Sequence, residues 1–535
     1  MKLIIKWILP IIQAVISATL LYLAATGGFL PGTYMALVAG LVAVLLIITF
    51  VLTRSSKSAV RILGAVLAIL ASGVLMTGAF YIHRVLKTLD QVSEEKVQTS
   101  TFVVSVKAGN AAQTIEETSG YRFGILSDMD AGLTESICGE IADANGDSVG
   151  GESGEADIVE GTEAVEDSTS EGAESSTSEG INAAVAGLQI RIFDSPATMA
   201  QALLDGGIDT CVLNNAYTDI LDEIIEDYST KTRVIYEMEF ETGAAKGAGN
   251  NANGTADGGA GDSAANTDGQ RAEGSLTSES FTVLISGIDV RGSISTTSRS
   301  DVNILMTVNP KTHQILLTTT PRDYYVYIPE VSGDMRDKLT HAGIYGVDAS
   351  MRTLGNLYGV EVNDYIRINF DSVIRLVDAL GGVDVNSDYA FTTRGGAYSF
   401  NEGLNHLNGE QALAFSRERY AFTDGDNQRG RNQMAVLTAM INKLQSPALL
   451  RNPGEVLEVV GESMQTSFTR SEITNLIAWQ LSEGKGWEIT RQAVSGHGDS
   501  QQTYSMRGRN LYVMWPDEES VAEASEKIRE ISEGQ

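Results

Sequence analysis

Between residues 281 and 323, charged residues gather at the ends of three short apolar runs. Asp289 and Arg291 follow the first run, Arg299 and Asp301 precede the second, and Arg322 and Asp323 follow the third. Carboxylates suit a hard cation such as Mg2+, which keeps several waters and takes one or two protein carboxylates together with phosphate oxygens. Arginine forks match phosphate with two parallel hydrogen bonds and stay charged at any working pH. A diphosphate bridged by Mg2+ would satisfy both sets. Mutual salt bridging around a solvated loop would use the same residues, and the charges alone leave both readings open.

The runs that must position these charges are Phe281–Ser286, Val302–Val308 and Gln314–Thr320. Each is short, rich in β-branched residues and bounded by turn signals, so the pattern predicts three strands. Asn309-Pro310-Lys311-Thr312 is a tight-turn sequence that makes the second and third a hairpin. Antiparallel neighbours then bring the end of the first strand, the start of the second and the end of the third to one edge. The charges fall at that edge.

Gly287-Ile288-Asp289-Val290-Arg291, then Arg299-Ser300-Asp301, then Thr319-Thr320-Pro321-Arg322-Asp323 resemble the motif series of the LytR–CpsA–Psr family. Further landmarks follow in order. They are Lys338-Leu339-Thr340-His341-Ala342, a run ending Gly381-Gly382-Val383-Asp384, Gly403-Leu404 through Gly409, Ala412 through Arg419, and Asp426-Asn427-Gln428-Arg429. The resemblance spans residues 281–450 and weakens toward the end of the chain. Members of this family are cell-envelope phosphotransferases that move a glycopolymer, such as teichoic acid or capsule, from a polyprenyl-diphosphate carrier onto peptidoglycan.

The resemblance implies a transferase assisted by Mg2+ (or Mn2+), with Asp289 and Asp301 holding the metal. It implies that Arg299, Arg322, Arg417, Arg419 and Arg429 neutralise the diphosphate, with Arg291, Lys338 and Gln433 as further phosphate contacts. Asp323, Asp426 or a metal-bound water are the candidates for taking the acceptor's proton. The implied partners are a polyprenyl-diphosphate-linked glycan, peptidoglycan and the lipid membrane. Related folds bury the polyprenyl tail between helices and sheet, whereas the apolar stripe Val373, Ile374, Val377 and Leu380 reads by itself as an ordinary core face.

Three local patterns refine the expected site. Leu413–Arg419 reads as a strand whose period of two puts Phe415, Arg417 and Arg419 on one face. Asp371–Leu380 reads as a helix capped by Asp371 and stopped by Gly381-Gly382. Arg429 and Gln433, four apart, share a face of a helix running to Leu444. Where the family carries an arginine before this glutamine the chain has Asn432, with Arg431 one place earlier.

The 38 basic and 69 acidic side chains leave a net charge of −31, which disfavours a nucleic-acid partner. Two cysteines, Cys138 and Cys211, are too few for a disulfide framework. Residues 1–83 read as a membrane domain, because apolar runs at 7–26, 34–52 and 62–82 each approach the length that spans a bilayer. Lys2, Lys6, Arg54, Lys57 and Arg61 flank these runs on one side, against Arg84 and Lys87 on the other. The positive-inside rule therefore predicts a cytoplasmic N-terminus, with everything after residue 83 outside the cell.

The rest divides by composition. Residues 84–100 read as a helical stalk. Residues 101–242 alternate strands and helices, which suggests a small α/β domain serving as a spacer or docking module. Its strands are expected at Thr101–Val106, Tyr121–Leu126, Gln189–Phe193, Thr210–Leu213 and Thr232–Phe240, and its helices at Pro196–Leu204 and Tyr217–Tyr228. An acidic insertion at 143–187 and a Gly/Ala/Asn/Asp linker at 243–280 read as disordered and flexible by composition. Residues 281–535 form the expected α/β catalytic domain, a mainly antiparallel central sheet flanked by helices.

Three other functions compete with transfer: hydrolysis of the same diphosphate, polymer binding without turnover, and the transcriptional attenuation after which the family was labelled. The charge, the predicted outside location and the lack of a helix-turn-helix pattern oppose the last. Topology is directly testable. Protease added to intact protoplasts should remove everything beyond about residue 100, and a protected ectodomain would reverse the orientation.

Overall fold

Lys6–Gly27, Gly32–Arg54 and Ser58–Ser93 are each long and apolar enough to cross a membrane, and they open the chain as helices α1 (Leu9–Gly27), α2 (Gly32–Arg54) and α3 (Ser58–Ser93). The computed structural model describes residues 4–94, 97–127, 129–145, 188–244, 275–288, 294–423, 425–444 and 453–534. The acidic insertion and the glycine-rich linker fall almost wholly outside them.

At 36 residues α3 exceeds what a bilayer needs. The expected separate stalk is instead its unbroken continuation to Ser93, and these last turns seat on the C-terminal part. Arg84 pairs with Glu458 and Asp90 with Arg470, both at 2.6 Å.

The middle part is a five-stranded sheet of β1 (Val97–Lys107), β2 (Arg122–Leu126), β3 (Gln189–Phe193), β4 (Thr210–Asn214) and β5 (Thr232–Ala244), in the order β3-β2-β4-β1-β5. Four helices accompany it among the described residues. Helix α4 (Ala131–Asn145) escaped the sequence reading. Helix α5 (Pro196–Asp205) begins where predicted, with Ser195 accepting from Ala197 N–H and Gly206 closing it in the left-handed region. The expected single helix 217–228 is broken. Helix α6 (Thr218–Ile224) ends before Asp227, whose φ is 57°, and α7 (Tyr228–Lys231) follows. Cys138 and Cys211 are both buried free thiols.

This sheet is no detached spacer. Thr99 N–H donates to Ser295 O at 3.1 Å, Thr297 N–H donates to Thr99 O at 2.8 Å, and the Ser100 and Thr297 hydroxyls lie 2.6 Å apart. Leu213 and Tyr217 share a core with Ile344, Met506 and Leu511 from the C-terminal part.

That part is built on β6 (Phe281–Ile288), β7 (Ser300–Asn309) and β8 (Gln314–Thr319), the three predicted strands. Asn309 closes the hairpin by accepting from Lys311 and Thr312 N–H. Further strands follow in chain order. They are β9 (Tyr325–Val326), β10 (Asp337–Lys338), β11 (Asp364–Asn369), β12 (Val383–Ser387), β13 (Phe391–Thr392), β14 (Ser399–Phe400), β15 (Gly403–Leu407), β16 (Met464–Thr466), β17 (Glu488–Ala493), β18 (Gly496–Thr503) and β19 (Met506–Pro516). The main sheet runs β16-β11-β6-β7-β8-β17. The pairs β16–β11, β6–β7 and β7–β8 are antiparallel, while β11–β6 and β8–β17 are parallel.

Both faces of this sheet are covered, which is why its strands read as continuous apolar runs. Leu284, Leu305 and Leu316 pack against Met351 and Leu354 of α8 (Val347–Tyr358) and Ile528 of a C-terminal helix. On the other face Ile285, Ile304 and Leu317 pack with Met434. The remaining helices are α9 (Phe370–Ala379), α10 (Gly409–Arg417), α11 (Gly425–Leu444), α12 (Pro453–Ser463), α13 (Arg470–Glu483) and α14 (Glu518–Glu533).

Two local readings need correction. The cap of α9 is Asn369, not Asp371, since the Asn369 side chain accepts from Ser372 N–H in a reciprocal capping box. Leu413–Arg419 is not a strand. Asn408 and Gln411 form a second capping box that starts α10, and Ala412 and Phe415 bury one helical face.

Helix α11 approaches β8 so closely that a Cβ on Gly430 would lie 2.9 Å from Thr319 Cγ2. Gly430→Val should therefore push α11 off the sheet and destabilise the protein by about 1–3 kcal/mol. Thermal denaturation checks this, and an unchanged midpoint would mean that the contact yields freely.

Candidate active site

The shared edge predicted for β6, β7 and β8 holds a network of buried charge. Arg322, just past β8, places Nη1 at 3.0 and 3.1 Å from the two oxygens of Asp301 at the start of β7. Thr340 Oγ donates to Asp301 Oδ1 at 3.2 Å. Asp323 faces the other way, with Lys338 Nζ at 3.0 Å and Arg322 Nε at 3.7 Å. The backbone is tied as well, since Thr340 N–H donates to Arg322 O at 2.8 Å.

Burial pushes the Asp301 carboxyl up, but the guanidiniums of Arg322, Arg299 and Arg429 outweigh it and hold the group below the usual carboxylate range. Asp323 behaves alike. Burial raises it, and Lys338, Arg322 and Arg429 bring it below that range. The Arg322 guanidinium, against the trend of its own burial, is held more firmly protonated by Asp301 and Asp323.

Beside this network lies a cavity of about 360 Å3. Its floor is sheet, with Ile285, Ile304 and Ile368, and its walls are helical, with Val373 from α9, Leu413 from α10, and Val436, Leu437 and Met440 from α11. Arg299, Arg322, Arg417, Arg419 and Arg429 line it together with Asp301, Glu223 and Gln433. The helical period explains the gradient along α11, where Arg429, Gln433, Val436 and Met440 follow one face from polar to apolar. The Arg417 guanidinium lies 4.3 Å over the Phe370 ring, and Arg419 Nη2 donates to the Tyr420 hydroxyl at 2.7 Å. A wider groove of about 1010 Å3, bordered by Leu357, Trp515 and Arg529, gathers no comparable set of arginines among the described residues.

Seven predicted site residues thus line one cavity: Arg299, Asp301, Arg322, Arg417, Arg419, Arg429 and Gln433. Lys338, expected at the phosphates, is turned away and buried against Asp323. Asp323, a candidate base, sits behind Arg322 with its proton affinity lowered, so it supports the arginine and does not face the cavity. Asp289, Arg291 and the side chain of Asp426 lie outside the described residues.

The family's missing arginine is not replaced at the cavity. Asn432 donates to Phe415 O at 3.2 Å and Arg431 to Gln428 Oε1 at 2.8 Å. Sequence reasoning missed Glu223 altogether. This α6 residue lines the cavity and bonds Arg299 Nη1 at 2.8 Å, while Asp219, one turn earlier, bonds Nη2 at 3.3 Å. The only sequence signal was two carboxylates four apart on a helix. Among the described residues no group of three or more His, Cys, Asp or Glu gathers as a metal cluster.

The cavity, set on a mixed sheet between helices, joins a cationic mouth to an apolar interior, the chemistry that suits a ligand anionic at one end and apolar at the other. A sequence model of the LytR_cpsA_psr family matches residues 248–529, more than half of the chain. The chain belongs to this family.

Among its relatives is a protein of Oceanobacillus iheyensis named polyisoprenyl-teichoic acid–peptidoglycan teichoic acid transferase TagU, 34% identical over 230 residues, which are 42% of this chain and 69% of that one. The protein of the same name from Bacillus mycoides is 37% identical over 200 residues, which are 37% of this chain and 64% of that one. The crystal structure of B. subtilis TagV aligns with a TM-score of 0.39 at 24% identity, covering 48% of this chain and 98% of that one.

The Asp301–Arg322 pair sets a pH dependence. Because the folded carboxyl titrates below its unfolded value of about 3.9, its contribution is full above about pH 4 and is lost as pH falls through the lower folded value. Asp301→Asn strands a buried guanidinium and should cost about 3–5 kcal/mol at neutral pH. Denaturant midpoints of variant and wild type should converge in acid. A gap that stays constant down to about pH 2 would place the stabilising charge elsewhere.

Proposed function

We propose that this chain is a membrane-anchored phosphotransferase. It moves a glycopolymer, of the teichoic acid class for which its relatives are named, from a polyprenyl-diphosphate carrier onto peptidoglycan outside the cell. The observation that carries the reading is the joining of five arginines to an apolar cavity, because one ligand must then be anionic at one end and hydrocarbon at the other. Basic residues before α1 and between α2 and α3 support a cytoplasmic N-terminus.

In this reading Arg322 and Arg429 meet the diphosphate at the mouth, and Arg417 and Arg419 approach it from the end of α10. Their forks accept charge as it shifts onto the leaving polyprenyl phosphate, and in a water-poor site such preformed donors act without reorganising. Each buried methylene of the isoprenoid adds about 0.8 kcal/mol of binding. Phosphoryl transfer needs chiefly positioning and charge stabilisation, which these residues supply.

Asp301 is the described carboxylate that would hold a divalent cation, and its expected companion Asp289 lies outside the described residues. Asp301 offers three acceptor contacts to Arg322 and Thr340 and keeps lone-pair capacity on Oδ2. With Asp289 it would give Mg2+ its customary pair of carboxylates beside phosphate oxygens. Bound there, the ion would supply Lewis-acid polarisation of a phosphoryl oxygen.

Transfer of a polyprenyl-diphosphate-linked glycan to peptidoglycan, followed by mass spectrometry of the products, tests the proposal. Asp301→Ala and Arg322→Ala should each lower the rate roughly 10²–10³-fold, about 3–4 kcal/mol. The double variant should lose less than the product of the two, since both act on one transition state. Lys311→Ala, in the hairpin turn, should be silent. Equal turnover without peptidoglycan would make the enzyme a hydrolase, and full activity in EDTA would remove the metal.

A further inference from the structure

The middle domain carries no motif of its own, yet it holds Arg299 at both ends. The loop leading to Arg299 is bonded to β1 through Thr99, Ser100 and Thr297. On the far side of the same loop, buried Arg367 donates to Thr296 O at 2.7 Å. The guanidinium is then gripped by α6, with Glu223 on Nη1 and Asp219 on Nη2. Arg299 keeps only 9% of its side chain exposed, while Glu223 stands at the cavity beside Asp301 and Arg322.

An arginine side chain loses much rotamer freedom when fixed, and its planar fork is useful only when aimed. Two carboxylates one helical turn apart match the two terminal nitrogens of that fork. They fix its plane before any ligand arrives.

From this juxtaposition we propose that the middle domain is part of the active site, with Glu223 and Asp219 as positioning residues that aim Arg299 at the diphosphate. The inference rests on the cavity being the phosphotransfer site and adds a requirement to it. Transfer depends on a carboxylate clamp supplied by a domain outside the catalytic sheet. The clamp also restrains the mouth's positive potential, so losing it should weaken turnover without weakening capture of the anionic donor.

The test uses the full chain in detergent, a polyprenyl-diphosphate-linked glycan as donor and peptidoglycan as acceptor. Glu223→Gln should lower kcat roughly 10- to 100-fold, as expected for a misplaced catalytic group, with KM for the donor unchanged or lower. Glu223→Asp should restore part of the loss. Arg299→Ala combined with Glu223→Gln should be no slower than Arg299→Ala alone. Glu226→Gln, beyond the end of α6, should match wild type.

A kcat within twofold of wild type for Glu223→Gln overturns the proposal, as do losses that multiply with Arg299→Ala. Should Glu223→Gln fail to fold, Asp219→Asn at its more exposed position carries the same test: a lower kcat supports the clamp and a wild-type kcat overturns it. Loss of transfer in Arg322→Ala with none in Glu223→Gln would remove only this inference. Retention in Arg322→Ala would remove the reading of the cavity itself.

Discussion

Asp301 and Arg322 meet in a place where neither could be buried alone. The desolvation of each charge costs several kcal/mol, and only the close geometry, with Thr340 and the second pair Asp323–Lys338 behind it, offsets that cost. Much of the site inherits its position from this constraint. The pair links the start of β7 to the chain leaving β8, the second pair orients Arg322 from behind, and the bond from Thr340 N–H fixes the loop that carries Lys338. A well-packed apolar substitute would cost less to bury, but it would offer an incoming anion nothing. On the proposed reading, the network trades stability for a guanidinium preset where the anion lands.

The cavity beside it shows how a binding gradient arises from ordinary packing. Sheet residues and three helices leave a gap because Gly430 brings α11 close to β8 at one end, while Val436, Leu437 and Met440 fill only part of the space farther along. The arginines at the mouth come from four separate stretches of chain. Their mutual repulsion is relieved by Asp301 and by two carboxylates from the middle domain.

Much of this was legible in the sequence, and the failures have physical reasons. β6, β7 and β8 were plain because both their faces are buried and their turns carry strong residues. Arg417 and Arg419, expected among the other arginines from the family motif, do line the cavity, but no strand carries them there. The alternating pattern suggests a strand, but the Asn408–Gln411 capping box starts a helix first, with Arg417 as its last residue and Arg419 two places beyond. Lys338 was placed at the phosphates by its motif, and nothing in a one-dimensional pattern shows that Asp323 claims its ammonium. Glu223 was invisible for a deeper reason. It reaches the cavity through the docking of two domains separated by a long low-complexity stretch, and such a contact leaves no local periodicity.

The unbroken run of α3 from the membrane into the C-terminal part has a consequence for encounter geometry. A helix of 36 residues is about 54 Å long, so roughly 24 Å remain beyond a 30 Å hydrocarbon layer. Bonded to Glu458 and Arg470, that remainder behaves as a rigid post and not as a tether. On the proposed reading, with this helix crossing the bilayer, the cavity is held at one height and its search is two-dimensional. On the same reading, carriers reach it by lateral diffusion in the leaflet beneath, while the wall must come down to meet it.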